Sequence, residues 1–237
     1  MQAIPDTTIR VMNKSEGFVD FHAHILPRAD HGSGSVETSV FQLNSAKSAG
    51  VFRVIATPHF YPHRHLLEDF LERRATAYET LKPHIPEGMN VKIGAEVLIC
   101  PGIQNIPNIE SLFIEGTRSL LLELPFDRYE DYFPEAVRKM REKGIDVIIA
   151  HADRYSKKVV DKMLEAGARL QLNATSLDRF FKKKSLYKWI NNGDVIALGS
   201  DIHGKDEKAY KSFTRAFSKV KNKADYIKIE SDKIFNK

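Results

Sequence analysis

The chain has 237 residues, 42% of them hydrophobic and 28% charged, with a formal net charge of +5, which is enough chain for one well-buried core of α/β-barrel size. No apolar stretch approaches the roughly 20 residues that cross a bilayer, and the start, Met1 to Gly17, is polar and lacks the apolar core of a secretion signal, so a cytoplasmic protein without membrane insertion is expected. The single cysteine, Cys100, excludes an internal disulfide, a zinc-finger spacing and a Cys/His catalytic signature, and the basic residues, interrupted by acids even between Lys205 and Lys237, form no nucleic-acid stripe.

The basic balance therefore reads as a charged, solvated surface that is compatible with an anionic substrate. The polar lead-in, residues 1–17, reads as an N-terminal extension, and residues 18–237 as one domain.

The first strand-like run, Phe18 to Phe21, leads into Val19-Asp20-Phe21-His22-Ala23-His24. An H-x-H spacing at a strand end puts both imidazoles on one side of the pleat, which is a ligand geometry. His31 follows in the loop Asp30-His31-Gly32. Ser35 is placed to cap a helix carrying Val36, Val40, Leu43 and Ala46, and Gly50 to end it. The second run, Phe52 to Thr57, reaches His59 in Ala-Thr-Pro-His. His63, Arg64 and His65 come next, where no strand orients them, and read as a solvated loop; His84, in a polar stretch, reads as surface.

The run Val91 to Leu98 carries Glu96, and Ser119 to Leu124 carries Glu123. Pro134 sits where a first helical turn tolerates it, ahead of Ala136 to Lys143 and Gly144. Val147 to Ala150 then delivers His151, followed by Asp153, Arg154 and Tyr155. Val159 to Ala166 is helical in period and closes at Gly167. Arg169 to Leu172 leads into the polar segment Asn173-Ala174-Thr175-Ser176, suited to supporting contacts rather than direct ligation. Val195 to Gly199 delivers Asp201 and His203.

Strand followed by helix, repeated about seven times with short links, predicts a parallel sheet with right-handed crossovers. Closure into a barrel fits best. An open doubly wound sheet would gather its ligands at one switch point, whereas here candidate ligands end nearly every strand.

Each strand-end histidine or acid, taken alone, has an ordinary structural explanation. The set does not: Glu96, Glu123 and Asp201 buried together without cations would cost several kcal/mol per charge, which divalent ions offset. With His22, His24, His31, His59, His151 and His203 they exceed what one ion uses, so two to three ions are expected. A carboxylate can bridge two cations and a histidine cannot, which favours Glu96 and Glu123 for shared positions. Such a cluster activates water as hydroxide for attack on phosphorus, and the predicted chemistry is hydrolysis. Arg154 can donate two parallel hydrogen bonds to phosphate oxygens, favouring a phosphoester over a neutral amide; the structural alternative is a rim salt bridge with Asp153. Tyr155 suits either the barrel mouth or packing.

The ordered series DFHAHILP, ATPHF, GAEV, LLELPF, AHADRY and SDIH resembles the PHP (polymerase and histidinol phosphatase) superfamily over Val19 to about Gly204. Within it, LLELPF, AHADRY and the length are similar to the bacterial CpsB/YwqE-type tyrosine-protein phosphatases of capsule and exopolysaccharide synthesis. The resemblance implies a distorted (β/α)7, TIM-like barrel with three metals, commonly manganese, iron or zinc, at the C-terminal ends of the strands. It implies His22, His24, Glu96 and Asp201 around the first ion, Glu96, Glu123 and His151 around the second, and His31, His59 and His203 around the third. Arg154 is similar to the phosphate-binding arginine of the branch. The implied substrate is phosphotyrosine on a cognate polysaccharide-synthesis tyrosine kinase.

The chain departs from the branch pattern where Asp30-His31-Gly32 replaces Asp-Asp-Gly, which changes cluster charge, and where Asp153 replaces a longer acid before Arg154. No arginine follows His203 closely; Gly204, Lys205, Asp206, Glu207 and Lys208 stand there. The rival readings are a phosphatase of a small metabolite, such as histidinol phosphate or a nucleotide ester, and a non-catalytic module that uses the ions for folding or binds a kinase. The oligomeric state is left open.

Overall fold

The computed structural model describes residues 17–126, 128–178, 184–220 and 223–237. The expected N-terminal extension, residues 1–17, lies outside the described residues apart from Gly17.

Every strand pairs parallel to its neighbours. β1 (Phe18–Ala23) pairs with β2 (Val51–Ala56), and β2 with β4 (Asn90–Ile93). A second ladder runs β3 (His59–Phe60), β5 (Glu96–Leu98), β6 (Ser119–Glu123), β7 (Asp146–Ile149), β8 (Arg169–Asn173) and β9 (Val195–Gly199). Pro58, which has no N–H to give a ladder, separates β2 from β3. Gly94 and Ala95 separate β4 from β5. Backbone bonds carry the pairing through both breaks: Gly94 N–H donates to Ala56 O at 2.9 Å and Glu96 N–H to Pro58 O at 3.1 Å.

Each broken pair is thus one stave, and the described residues form seven: β1, β2–β3, β4–β5, β6, β7, β8 and β9. Closure comes from Asp201 N–H donating to His22 O at 2.8 Å and His24 N–H to Ile202 O at 3.2 Å. The expected distorted seven-stave barrel is the observed fold. It departs from the expected strand placement at two staves: the run Val91 to Leu98 is two strands rather than one, and His59–Phe60, beyond the expected run Phe52 to Thr57, forms a strand of its own.

Helices α1 (Val36–Ser48) and α2 (Leu67–Leu81) follow the first two staves, α3 (Tyr132–Glu142) and α4 (Lys157–Glu165) follow β6 and β7, and short 3-10 turns alone link β5 to β6. The Ser35 hydroxyl accepts Thr38 N–H at 3.3 Å, as the sequence predicts, and Ser156 caps α4 by accepting Val159 N–H at 3.4 Å. Gly144 and Gly167, at φ +73° and +94°, supply the left-handed turns that return the chain from α3 and α4 to the sheet. Short α5 (Ala174–Asp178) and α6 (Lys184–Asn192) follow β8.

The stretch from Lys205 to the end, assigned no strand or helix from the sequence, is structured. It forms α7 (Glu207–Val220) and α8 (Ala224–Phe235). Tyr210, Phe213 and Phe217 recur at helical spacing and are buried, as are Ile227, Ile234 and Phe235. Ile234 and Phe235 join Val19, Phe21, Ile55, Leu121, Ile148 and Ile196 in the apolar filling inside the barrel. Arg53, on β2, binds Asp232 of α8 at 2.8 Å and fixes that plug. A larger apolar layer separates the staves from the surrounding helices.

Candidate metal centre

Inside the barrel the apolar filling stops and a polar layer begins, and β1 shows how. Val19 and Phe21 face the inner apolar cluster, yet His22 and His24 face the polar layer. The inward parity switches between Phe21 and His22, where the register of β1 on β2 shifts between Asp20 and Ala23. A bulge of this kind re-aims side chains at one end of a strand. His151 and Asp201, at the ends of two other staves, have φ +30° and +52°. Left-handed backbone in a non-glycine residue costs on the order of 1–3 kcal/mol and is held in place by surrounding contacts.

Glu96 lies at the centre. Its Oε2 is 2.9 Å from His59 Nδ1, 3.1 Å from His22 Nε2 and 3.2 Å from His24 Nε2, while its Oε1 is 2.7 Å from His151 Nε2. Glu123 stands behind, 3.8 Å from His59 Nδ1 and 3.7 Å from His151 Nε2. Asp201 Oδ1 is 3.4 Å from His24 Nε2, 3.7 Å from His22 Nε2 and 3.6 Å from His203 Nδ1. Three groups have ligand atoms all within 4.8 Å of one another: His22, His24 and Glu96; His59, Glu96 and Glu123; and His24, His59 and His203. His31 is exposed and its ring stacks at 4.8 Å on His59 and 4.7 Å on His203. All nine expected residues thus meet at one mouth. By proximity, His24 lies with His59 and His203, and His59 with the two glutamates.

Whether cations fit is decided by the protons. Gln171 Oε1 accepts the backbone N–H of His151 at 2.7 Å, which fixes the orientation of the amide. The same oxygen accepts His22 Nδ1–H at 3.1 Å, and Asp30 accepts His24 Nδ1–H at 2.7 Å. In their neutral forms both imidazoles would then present Nε2 lone pairs facing each other 3.0 Å apart, so this is the place that a proton or a cation fills. Lone pairs that close repel unless a positive charge lies between them. Glu96 Oε2, His59 Nδ1 and His203 Nε2 are likewise buried with no hydrogen-bond partner. The donor set of imidazole and carboxylate, with its orphaned atoms, fits divalent transition metals.

The acidity of the groups carries the same message. Burial opposes charge on His22 and His24, but the carboxylates of Glu96, Asp201 and Asp30 outweigh it and raise both imidazoles above their ordinary value. Glu96, desolvated yet surrounded by His22, His151 and His24, is held well below the carboxylate range. Burial and the charge of Glu96 push Glu123 up to about 8. Burial and the neighbouring His24 push His203 down to about 4. Without metal, protons balance the acids; a cation occupies the same place with the lone pairs as donors.

Residues outside the strand ends hold this arrangement. Asp30, passed over in the sequence, also accepts the backbone N–H groups of His59 at 3.0 Å and Gly32 at 2.8 Å. Gln171 donates to Asn173 Oδ1 at 3.2 Å, and Asn173 donates to Asp201 Oδ2 at 3.0 Å. One buried amide thereby ties together His22, His151 and Asp201. Asp20, beneath His22, accepts Ser200 N–H and Tyr210 O–H, each at 2.8 Å. The available signal for Asp20 and Gln171 was a polar residue inside an apolar run, Val19-Asp20-Phe21 and Leu170-Gln171-Leu172.

Arg154 reaches Asp201 Oδ2 with its Nη2 and lies 5.6 Å from the Phe126 ring centroid. Asp153 turns inward and accepts Asn173 N–H at 2.8 Å. Tyr155 resolves as packing: it is buried, donates to Leu124 O at 2.9 Å, accepts Leu124 N–H at 3.0 Å and stands 3.2 Å from His151 Nδ1. His63 and His84 are exposed, and His65 accepts Tyr61 N–H at 3.2 Å within its own turn, so none of the three joins the cluster. No helix among the described residues is long and apolar enough to cross a membrane.

Comparison with known proteins gives a consistent result. The model of the capsular polysaccharide synthesis family CpsB/CapC matches residues 18–236. CapC of Staphylococcus aureus is 30% identical over 227 residues, covering 90% of this chain and 87% of that protein. The tyrosine-protein phosphatase YwqE of Bacillus subtilis is 28% identical over 178 residues, 70% of this chain and 68% of that one. Among solved structures, the chain resembles the fold of the metal-dependent tyrosine phosphatases YwqE from Bacillus subtilis and CpsB from Streptococcus pneumoniae, with a TM-score of 0.73, 22% identity and coverage of 92% and 93%. Histidinol phosphate phosphatase of Lactococcus lactis, solved with zinc, L-histidinol and phosphate, shares the fold at a TM-score of 0.54, 12% identity and coverage of 86% and 94%.

Proposed function

The chain belongs to the CpsB/CapC family of capsular polysaccharide synthesis, and from that premise we propose that it is a metal-dependent phosphomonoesterase acting on protein phosphotyrosine. The observation that carries the reading is the orphaned Glu96 Oε2 among the nitrogens of His22, His24 and His59.

His22, His24, His31, His59, Glu96, Glu123, His151, Asp201 and His203 would hold two to three divalent ions, manganese, iron or zinc. Glu96 suits the shared position because its two oxygens already face different sets of imidazoles. When bound, such ions act as Lewis acids that activate water and neutralise phosphoryl charge.

The chain's own residues supply binding and orientation. Arg154, half-exposed and resting on Asp201, has guanidinium N–H groups to offer two oxygens of a phosphoryl group at the mouth. Asn173 and Gln171 keep Asp201, His22 and His151 from turning. Asp30 does the same for His24. A phenol leaves with a pKa near about 10, so no protein acid is assigned to it. Within the same reading, residues 18–237 form one catalytic domain working in the cytoplasm, and the substrate is a tyrosine kinase of the polysaccharide pathway.

The mouth favours a protein substrate over a small metabolite. Phe126 is 59% exposed at its edge, and the cleft beside Glu123 opens to solvent. The test is hydrolysis of a phosphotyrosine peptide, p-nitrophenyl phosphate and histidinol phosphate by protein stripped of metal and then reloaded. Rescue with preference for the peptide is expected. Preference for histidinol phosphate would install the metabolite reading, and turnover indifferent to thorough metal removal would defeat both.

A further inference from the structure

After Glu123 the chain continues into an exposed turn, and a cleft of about 250 Å3 opens there, lined by Tyr61, Arg64, Leu98, Pro125 and Phe126, with Glu123 itself on its wall. The cleft and the polar cluster therefore share a residue. A group lodged in it lies beside whatever the cluster holds.

Its walls are mixed: Tyr61, Leu98, Leu124, Pro125 and Phe126 give an aromatic and aliphatic part, and His63, Arg64 and Glu123 a polar one. Phe126 would ordinarily turn away from water, yet it is 59% exposed. Its ring stacks at 5.6 Å on buried Tyr155, lies 5.4 Å from His151 and carries the Arg154 guanidinium at 5.6 Å. Tyr155 is in turn locked to the backbone of Leu124. Tyr61 is similarly held, 5.2 Å from the His59 ring, with Arg64 5.7 Å over it. Rings propped this way keep their place without a ligand and lose little freedom when one arrives.

We propose that this cleft seats the aromatic ring of the leaving group, with Phe126 as its platform. Selectivity for aryl over alkyl phosphate monoesters is then built by these side chains, and not by the acidity of the phenol alone. Arg154, 5.6 Å from the Phe126 ring centroid, borders the same platform and is near enough to meet a phosphoryl group carried by a ring seated there. The inference rests on the phosphatase reading above and adds the residue that recognises the aryl group.

The test uses metal-loaded protein and two phosphonates that cannot be hydrolysed, phenylphosphonate and methylphosphonate, titrated by calorimetry. Leaving-group acidity plays no part in their binding. Wild-type protein should prefer the phenyl compound, and Phe126→Ala should shrink that preference by about 3- to 10-fold, the size of one ring contact. Phe126→Trp should restore it and Phe126→Leu should not. Because Phe126 is exposed, these variants are expected to fold, and their melting temperatures verify it. The ratio of kcat/KM for p-nitrophenyl phosphate to that for glycerol phosphate should fall in parallel. An unchanged phenyl-to-methyl ratio in Phe126→Ala, in a wild type that does hydrolyse monoesters, overturns the inference alone. A wild type that hydrolyses no monoester under any metal overturns the phosphatase reading and the inference with it.

Discussion

Replacing Gln171 by leucine would separate the scaffold of the cluster from its ligands. The side chain touches no solvent, and its Oε1 accepts both His151 N–H at 2.7 Å and His22 Nδ1–H at 3.1 Å. Leucine approximates its bulk and removes that shared acceptor, leaving two buried donors unpaired. At about 1–3 kcal/mol for each, metal-free protein should lose about 2–6 kcal/mol. A domain of this size melts about 2–4 °C lower per kcal/mol, so the melting temperature should fall by roughly 4 to 24 °C. His22 also loses the contact that keeps its proton on Nδ1 and its lone pair on Nε2. Loss of such a support lowers metal affinity by about 10- to 100-fold. Thermal unfolding of the metal-free protein and competition with a chelator, carried out well below melting, read the two effects separately. A variant that melts with wild type and binds metal within about a factor of two of it would refute the reasoning.

Other perturbations test different parts of the centre. Arg154→Ala should reduce kcat/KM for a phosphotyrosine peptide by about 10²- to 10³-fold, as expected for one donor to developing phosphoryl charge; steady-state kinetics with equal metal content check it. At Gly32 a Cβ would come within 2.1 Å of His24 Cβ and 2.6 Å of His24 O. Gly32→Ala should therefore cost at least about 1–3 kcal/mol and displace His24, seen as lowered melting and lowered metal content together. The metal-free protein should lose stability as pH rises from about 6.5 to 8; between about 4 and 6.5 the depressed His203 binds its proton less tightly in the native state and offsets Glu123. Glu123, with its pKa near 8, and His22 and His24, also raised, all bind protons more tightly in the native state than when unfolded. Their stabilisation is complete below the unfolded pKa values and disappears as the pH passes the folded ones. Melting curves across that range check the sign, and Glu123→Gln should flatten the slope.

The order of staves was legible in the sequence because each is a short apolar run closed by a residue that apolar runs seldom carry. The ligand candidates were legible for the same reason: His22, Glu123, His151 and Asp201 stand at or just past the end of a strand, and in a barrel all such ends share one rim, while Glu96 opens the short β5. The breaks at Pro58 and Gly94 leave alternation nearly intact, and Val91 to Leu98 reads as continuous until the kink is seen. In α7 and α8 the charges dominate composition and mask the spacing of Tyr210, Phe213 and Phe217 that buries one face. Gln171 carries no charge and no ligand chemistry, and only its place facing His151 and His22 gives it meaning. Which imidazole joins which group depends on the register shift in β1 and the left-handed turns at His151 and Asp201, and no local pattern announces either.

The central claim is that cations, and not protons alone, are what the carboxylates of Glu96, Glu123 and Asp201 are assembled to hold. Crystals grown with manganese and measured across its absorption edge test it directly. The account predicts two or more anomalous peaks within bonding distance of Glu96 and the imidazoles of His22, His24, His59 and His151. Strong anomalous signal elsewhere, with those side chains still hydrogen-bonded to one another and nothing between them, would contradict it.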